Sequence, residues 1–269
     1  MTLKITYHKP EDFAGMRAAG AIAASVLEYI EPFVKPGVTT SQINDLCHEY
    51  IIKKGAIPAP LNYRGFPKSV CTSVNHVVCH GVPNDDTVLM DGYIMNIDVT
   101  VIFKGWHGDT SKTFLVGDSF KANKGRIKII KNLVNSAYEA MKIGIEASVP
   151  GNKISDIGIA IAEYARKKGY SSVEDYSGHG IGKTFHADPY IIHYNPKNDY
   201  SFQDCEIKPG MFFTVEPMLN MGTHETTLSK VDGWTVFSKD HKLSAQFEHT
   251  IGITEKGNEI FTLRKEEQI

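Results

Sequence analysis

One stretch of this chain recurs later in it, and that repetition constrains the fold more than any other feature. Pro36, Gly37, Ser41, Ile43, Glu49, Tyr50, Lys53, Lys54 and Gly55 return as Pro150, Gly151, Ser155, Ile157, Glu163, Tyr164, Lys167, Lys168 and Gly169. Nine identities across twenty positions without a gap are too many for chance. Shared helix punctuation alone would supply the Pro-Gly and Gly matches. A long helical segment precedes each copy. Pro10 to Val34 reads as the first helix. Pro10 precedes an acidic first turn (Glu11, Asp12), and Phe13, Met16, Ala23, Leu27 and Ile30 form an apolar stripe at steps of three, four and seven. After the Pro36-Gly37 turn, Ser41 is the expected N-cap of a second helix, lined by Ile43, Leu46, Cys47, Tyr50 and Ile51 and ended by Gly55. The second copy predicts a helix from about Ala122 to Gly144, then a cap at Ser155 and a helix through Lys168 to Gly169. Strand-rich sequence follows each pair. The expectation is a single α+β domain over 1–269 made of two similar halves, about 10–118 and 119–262. A cleft at their junction could hold a site built from both. The period is far too long for a solenoid.

Composition narrows the partners. A net charge of -2 and a pI near 6.6 give no electrostatic case for nucleic acid or anionic lipid. No apolar run approaches the ~18 residues that a bilayer requires. Met1 to Glu11 carries Lys4, His8 and Lys9 and no continuous apolar core, so no secretory signal is expected. Cys47, Cys71, Cys79 and Cys205 form no CxxC pair. They are too scattered for a disulfide framework or a zinc finger, and fit free thiols in a reducing cytosol.

The chemistry-bearing signal is acid in the wrong place. Tyr93 to Phe103 alternates as a strand, with Met95, Ile97, Val99, Val101 and Phe103 on one face and Asn96, Asp98 and Thr100 on the other. Asp is a poor strand former, so Asp98 needs a reason. After Lys104-Gly105 the chain returns through Asp109, Ser111 and Thr113. A tight hairpin sets Asp109 opposite Asp98 or Thr100, on the same face either way, with the two carboxylates roughly 5–8 Å apart. Unshared, they repel, and a bound cation removes that penalty. The alternative is an exposed face on which both acids hydrate. Glu216 follows a hydrophobic run and precedes Pro217, which puts it at a strand end. In Ser244 to Ile251, Glu248 shares a face with Gln246 and Thr250 while Phe247 and Ile251 point away. Four strand carboxylates on apolar strands are hard to explain as four independent surface accidents. Ser177 to Gly182 is Gly-rich around His179 and lacks the spacing of a phosphate loop. It reads as a ligand loop wrapped around a fixed imidazole. Four carboxylates and one His form a hard, oxygen-rich set that suits Mn, Fe(II), Co or Zn in paired sites.

At these residues the sequence resembles methionine aminopeptidase, type I, over essentially its whole length. The stretches that carry the resemblance are Tyr63 to Cys71, Cys79-His80-Gly81-Val82-Pro83, Asn96-Ile97-Asp98, Gly108-Asp109-Thr110-Ser111, Gly178-His179-Gly180, Thr214-Val215-Glu216-Pro217 and Gln246-Phe247-Glu248-His249, all in the family's order. The resemblance implies the duplicated, pseudo-twofold "pita-bread" α+β fold, a central antiparallel curved sheet with outer helices. It implies two divalent metal ions, Asp98 holding one, His179 and Glu216 the other, with Asp109 and Glu248 bridging. His80 and His186 match the two substrate-contacting histidines. Tyr63, Phe66, Cys71, Phe185 and Trp234 match the walls of the methionine pocket. Family members more often carry Tyr where Phe66 stands, so no hydroxyl contact is expected there. The span between His186 and Glu216 has no room for the helical insertion of type II enzymes. With no zinc-binding N-terminal extension expected, the short bacterial-type form is the match.

The implied reaction is hydrolysis of the first peptide bond after methionine, with a small second residue preferred. Glu216 would shuttle the proton, and His80 and His186 would hydrogen-bond the scissile group. Implied partners are nascent polypeptides starting with Met and a transient ribosome contact. No nucleic-acid specificity and no membrane are expected, and the chain is read as a cytoplasmic monomer. Two alternatives stand beside this: a proline-directed aminopeptidase or prolidase, and a catalytically inactive pita-bread protein that binds nascent chains or ribosomes. A thiol nucleophile at Cys79 next to His80 is disfavoured because neighbours in an extended strand point to opposite faces. His76, His107, His193, His224, His241 and His249 receive no role.

Overall fold

The computed structural model describes residues 3–122 and 124–267. Helix α1 (Asp12–Ile30) runs into a 3-10 turn, Glu31–Phe33, and α2 (Thr40–Lys53) follows. The expected stripe on α1 is buried at Phe13, Met16, Ala23, Leu27 and Ile30. Its start lies past Pro10, where the Asp12 carboxylate accepts the Lys9 N–H at 2.9 Å. Ser41 is not the cap of α2. Thr39 has extended backbone, accepts from the Gln42 N–H and donates its own N–H to the Gln42 side chain, a complete capping box. Ser41 already lies in the first turn, where the backbone is helical and cannot cap. The second pair is α3 (Gly125–Ala147) and α4 (Ile154–Lys168). Here too Ser155 is inside the first turn; its hydroxyl donates to Asp204, while Asp156 accepts the Lys153 N–H.

Asp12–Phe33 meets the length and composition of a bilayer-spanning helix, a test that a buried core helix also passes. Half of its most apolar 18-residue window is buried inside the protein, and the helix packs against the hairpin described next, as a core helix does.

The first strands are β1 (Ile57–Pro58), β2 (Cys71–Val74), β3 (Val77–Cys79), β4 (Ile94–Phe103) and β5 (Trp106–Leu115). After the second helix pair come β6 (Ser171–Ser172), β7 (Gly178–Gly180), β8 (Ala187–Ile191), β9 (Phe212–Val215) and β10 (Met218–Asn220). The last are β11 (Thr226–Leu228), β12 (Val236–Ser238), β13 (Ser244–Gln246), β14 (His249–Thr254) and β15 (Gly257–Ile260). β4 and β5 form the expected hairpin with Lys104-Gly105 as its loop, both at positive φ, which pairs Thr100 with Asp109 and Asp98 with Ser111.

Among the described residues the expected central sheet is divided into four antiparallel sheets, and the divisions have a local cause. Between β9 and β10 stands Glu216-Pro217, and proline cannot donate to a ladder. Between β13 and β14 stands Phe247-Glu248, so the single strand expected over Ser244–Ile251 is two. Because β9 pairs with β14 and β10 with β13, these two breaks face each other. Two apolar cores flank the result. Leu27, Ile43, Ile51, Ile97 and Val99 pack α1 and α2 on β4. Leu133, Ile157, Ile161, Phe213, Val215 and Ile251 pack α3 and α4 on β9 and β14.

Candidate metal centre and active site

The facing strand breaks and the β4–β5 hairpin open onto one cavity of about 430 Å³. Its lining includes every site residue expected from the sequence: Tyr63, Phe66, Cys71, His80, Asp98, Asp109, His179, Phe185, His186, Glu216, Trp234 and Glu248.

The acids converge from separate elements. Asp98 projects from β4 and Asp109 from β5; Glu216 and Glu248 each occupy a strand break. A strand break frees a carboxylate from the alternation of its ladder, which is why two of the four acids sit there. Ligand atoms of Asp109, His179 and Glu248 all lie within 4.8 Å of one another. His179 Nε2 stands 3.6 Å from Asp109 Oδ2 and 3.7 Å from Glu216 Oε1. The other ring nitrogen faces the Gly180 carbonyl at 3.1 Å, so Nδ1 carries the proton and the Nε2 lone pair points into the acids.

Neighbouring hydroxyls and amides orient the carboxylates. Thr100 Oγ1 donates to Asp109 Oδ1 at 2.7 Å, and Thr214 Oγ1 to Glu216 Oε1 at 2.8 Å. Gln246 Nε2 donates to Glu216 Oε2 at 3.2 Å. Thr100 lies directly across from Asp109 and Thr214 two residues before Glu216, whereas Gln246 reaches Glu216 from the neighbouring ladder, where its register partner is Met218; none of the three was assigned a role from sequence. His193 was missed for a different reason. It is fully buried, and its Nε2 accepts the Glu216 N–H at 3.2 Å, fixing the backbone at the break. Nothing in its sequence context signals that contact.

Electrostatics set this cluster apart from a hydrated acidic face. Burial pushes the Asp98 carboxyl up to about 7. Burial, reinforced by Asp98, takes Glu216 to about 8. Asp109 and Glu248 rise well above the carboxylate range for the same reasons. Burial lowers His179 to about 4, which keeps it neutral. Among the described residues no Lys or Arg pairs with these four acids. Arg264 lies behind Glu248, but its guanidinium is bound to Glu267 at 2.6 Å. Four desolvated carboxylates without a counter-charge, facing a neutral imidazole lone pair, are a donor set suited to divalent cations.

The Gly-rich segment is a strand, not a loop. β7 lies between β8 and β9, and a Cβ at Gly178 would sit 2.5 Å from the Thr214 carbonyl oxygen. At Gly180 it would sit 2.2 Å from that of Asp188. The glycines admit close neighbouring backbones and thereby set the imidazole. Gly180→Ala is therefore expected to lower stability by about 1–3 kcal/mol and to reduce metal content and turnover with it. Thermal unfolding and metal analysis test this; a variant with wild-type melting and activity would remove the glycines from the explanation.

Beside the acids the cavity is aromatic. Phe66 and Trp234 meet edge to face at 5.3 Å. Tyr63 packs on Phe185 at 4.8 Å, and its hydroxyl contacts His186 Nδ1 at 3.0 Å. Phe185 is backed by the His107 ring, stacked at 5.6 Å. Burial lowers His186 to about 3 and His80 to about 4, so both are neutral. The opposite-face argument for Cys79 and His80 does not hold: His80 has φ 55, past the end of β3, and both side chains line the cavity. The thiol reading fails on other grounds. Burial first, then nearby carboxylates, raise Cys79 and Cys71 well above the thiol range, so neither is a thiolate.

The model of metallopeptidase family M24 matches residues 14–255, and the chain belongs to that family. Within it, the chain is 56% identical to the methionine aminopeptidase of Rickettsia prowazekii over 98% of this chain and 96% of that protein. It is 46% identical to the methionine aminopeptidase of Escherichia coli K12 over 99% of this chain and 97% of that protein. The crystal structure of the Rickettsia prowazekii enzyme superposes with a TM-score of 0.89, covering 97% of this chain and 100% of that one. The pita-bread fold is thereby shared with these enzymes.

Proposed function

We propose that this chain removes the N-terminal methionine of polypeptides by hydrolysing the first peptide bond. The observation that carries the reading is the convergence of four uncompensated carboxylates, Asp109 and Glu248 fully buried and Asp98 and Glu216 partly so, and a tautomer-fixed imidazole on the wall of an aromatic pocket. Asp98 would hold one divalent cation, His179 and Glu216 a second, and Asp109 and Glu248 both. Two such cations, when bound, would supply Lewis acidity to the scissile carbonyl and would bring the pKa of an attacking water towards ~7. Mn, Fe(II), Co and Zn all suit the donors. Glu216 takes the proton of the attacking water and passes it to the leaving amine, with Thr214 and Gln246 holding its oxygens. His186, oriented by Tyr63, and His80 hydrogen-bond the scissile group as charge develops. Tyr63, Phe66, Cys71, Phe185 and Trp234 enclose the methionine side chain, where rings and sulfur suit a thioether.

The same reading makes the chain one catalytic domain of two similar halves, a cytoplasmic monomer acting on nascent polypeptides with a transient ribosome contact. Four free cysteines agree with a reducing compartment. An inactive binding protein would have no need of four carboxylates held together without a counter-charge. The decisive experiment is a metal-by-metal assay of the chelated protein on Met-Ala-Ser and Pro-Ala-Ser. Cleavage of the first alone supports the reading; cleavage of the second in preference supports the proline-directed alternative.

Side-chain selectivity follows from the walls. An apolar pocket discriminates by about 1–3 kcal/mol per methylene. Norleucine should be accepted, and leucine, branched at Cγ, largely excluded. The second residue should be small. A panel of X-Ala-Ser and Met-X-Ser peptides reads both limits. Leu-Ala-Ser cleaved as fast as Met-Ala-Ser would overturn the pocket assignment and leave the metal site standing.

A further inference from the structure

We propose that a groove beside the cavity seats the substrate polypeptide from about its third residue onward and favours basic residues there. This rests on the reading of the cavity as the site of N-terminal methionine removal. The cavity accounts for the first residue and the cleaved bond, and the remaining chain must leave it along the surface. β8 is the outer strand of its sheet, and His186 immediately precedes it. Asp188 and Tyr190, further along β8, line both the cavity and a second space of about 970 Å³. Asp175 and Ser177 are shared as well, so the two spaces are continuous.

The chemistry of this groove is distinct from that of the cavity. Its carboxylates are Glu174, Asp175, Asp188 and Asp199. Among the described residues none is bridged to a Lys or Arg; Glu174 faces only the His224 ring, at 3.7 Å. Hydroxyls of Ser201 and Tyr194 hold Asp199 at about 2, so it is charged at any working pH. Among the described residues, Lys4 is the one cationic side chain on the lining. Tyr194 and Phe202 form an aromatic wall, and Tyr190 stands 65% exposed at the junction. One exposed and two half-buried rings next to carboxylates suit lysine and arginine, whose stems pack on the rings while their heads meet the acids. An extended segment with basic side chains matches both the shape and the sign of this path.

The test compares Met-Ala-Ser with peptides that extend it by Lys-Arg-Lys or by Asp-Glu-Asp, on the metal-loaded protein and on its Glu174→Lys variant. Glu174 lines the groove and not the cavity. The basic extension is expected to raise kcat/KM by roughly fivefold, through KM, and the acidic one to lower it, since exposed charge pairs are worth little each and act together. Glu174→Lys should shrink the difference without changing turnover of Met-Ala-Ser, and high salt should erase it. The same peptides with the first amide reduced to a methyleneamine, followed by fluorescence anisotropy, report binding independently of catalysis. If Met-Ala-Ser is not cleaved, the functional reading falls, and anisotropy still decides the groove. Equal affinity for basic and acidic extensions, or a preference unchanged in Glu174→Lys, would overturn the proposal.

Discussion

Glu216→Gln is expected to lower turnover by about 10²–10⁴, the range that general acid–base catalysis contributes. The substitution keeps the length of the side chain and removes its charge and its basicity. It also disturbs the local hydrogen bonds in a definable way. Thr214 can still donate to an amide oxygen, but the new NH₂ group then faces the Gln246 amide, a donor meeting a donor. Gln246 also donates to the Glu216 carbonyl, so the cost is one lost side-chain hydrogen bond, too small to unfold the chain, and circular dichroism should be unchanged. One of the two proposed cations should be lost or weakened, since Glu216 stands within 3.7 Å of His179 Nε2. Steady-state assays together with metal analysis decide the matter. Activity within a few-fold of wild type at normal metal content would remove Glu216 from both roles.

Chelation is expected to abolish activity altogether and to expose a pH dependence of stability that the metal-loaded protein lacks. In the absence of a cation, Asp98 titrates at about 7 and Glu216 at about 8, with Asp109 and Glu248 also raised. Unfolded carboxyls titrate near ~4, so the folded state holds these protons more tightly. Stability from this source is complete below the unfolded value and is lost as pH rises through the folded values. The buried histidines act in the opposite sense, because His179 is lowered to about 4, but only below the unfolded value of ~6.5. Between pH 6.5 and about 8 the carboxylates therefore act alone among these groups, and the chelated protein should melt at progressively lower temperature. Divalent cations bind the deprotonated ligands, so the gain in Tm on adding them should widen over the same interval. Equal melting temperatures of the chelated protein at both ends of that interval would show that the acids are not buried against each other.

The helices and the hairpin were legible because their signals are local. The α1 stripe and the alternation around Asp98 depend on periods of 3.6 and 2 residues, which hold wherever the elements pack. The caps were misread by two residues. A capping serine requires extended backbone, and the turn before α2 leaves that conformation at Thr39. Ser155 fails at the matching point of the second copy, where Lys153 is the extended residue.

Which residues are candidates for the site was legible in the sequence. Acids on apolar strands conflict with local propensity, and such conflicts tend to mark functional positions. The geometry was not. That Glu216 and Glu248 face each other follows from two ladder interruptions brought into register by β9–β14 and β10–β13 pairing, contacts far apart in the chain. The glycines around His179 looked like loop residues because their function is negative: they omit a Cβ where the carbonyls of Thr214 and Asp188 pass, and no local pattern reports a distant backbone. His193 and the groove along β8 belong to the same category. The sequence alone thus determined which residues carry charge, lone pairs and rings, since these are properties of single side chains and short periods. Only the tertiary structure decided which of them meet, because burial and convergence depend on non-local pairing, and that pairing turns four ordinary carboxylates into one desolvated, cation-seeking cluster.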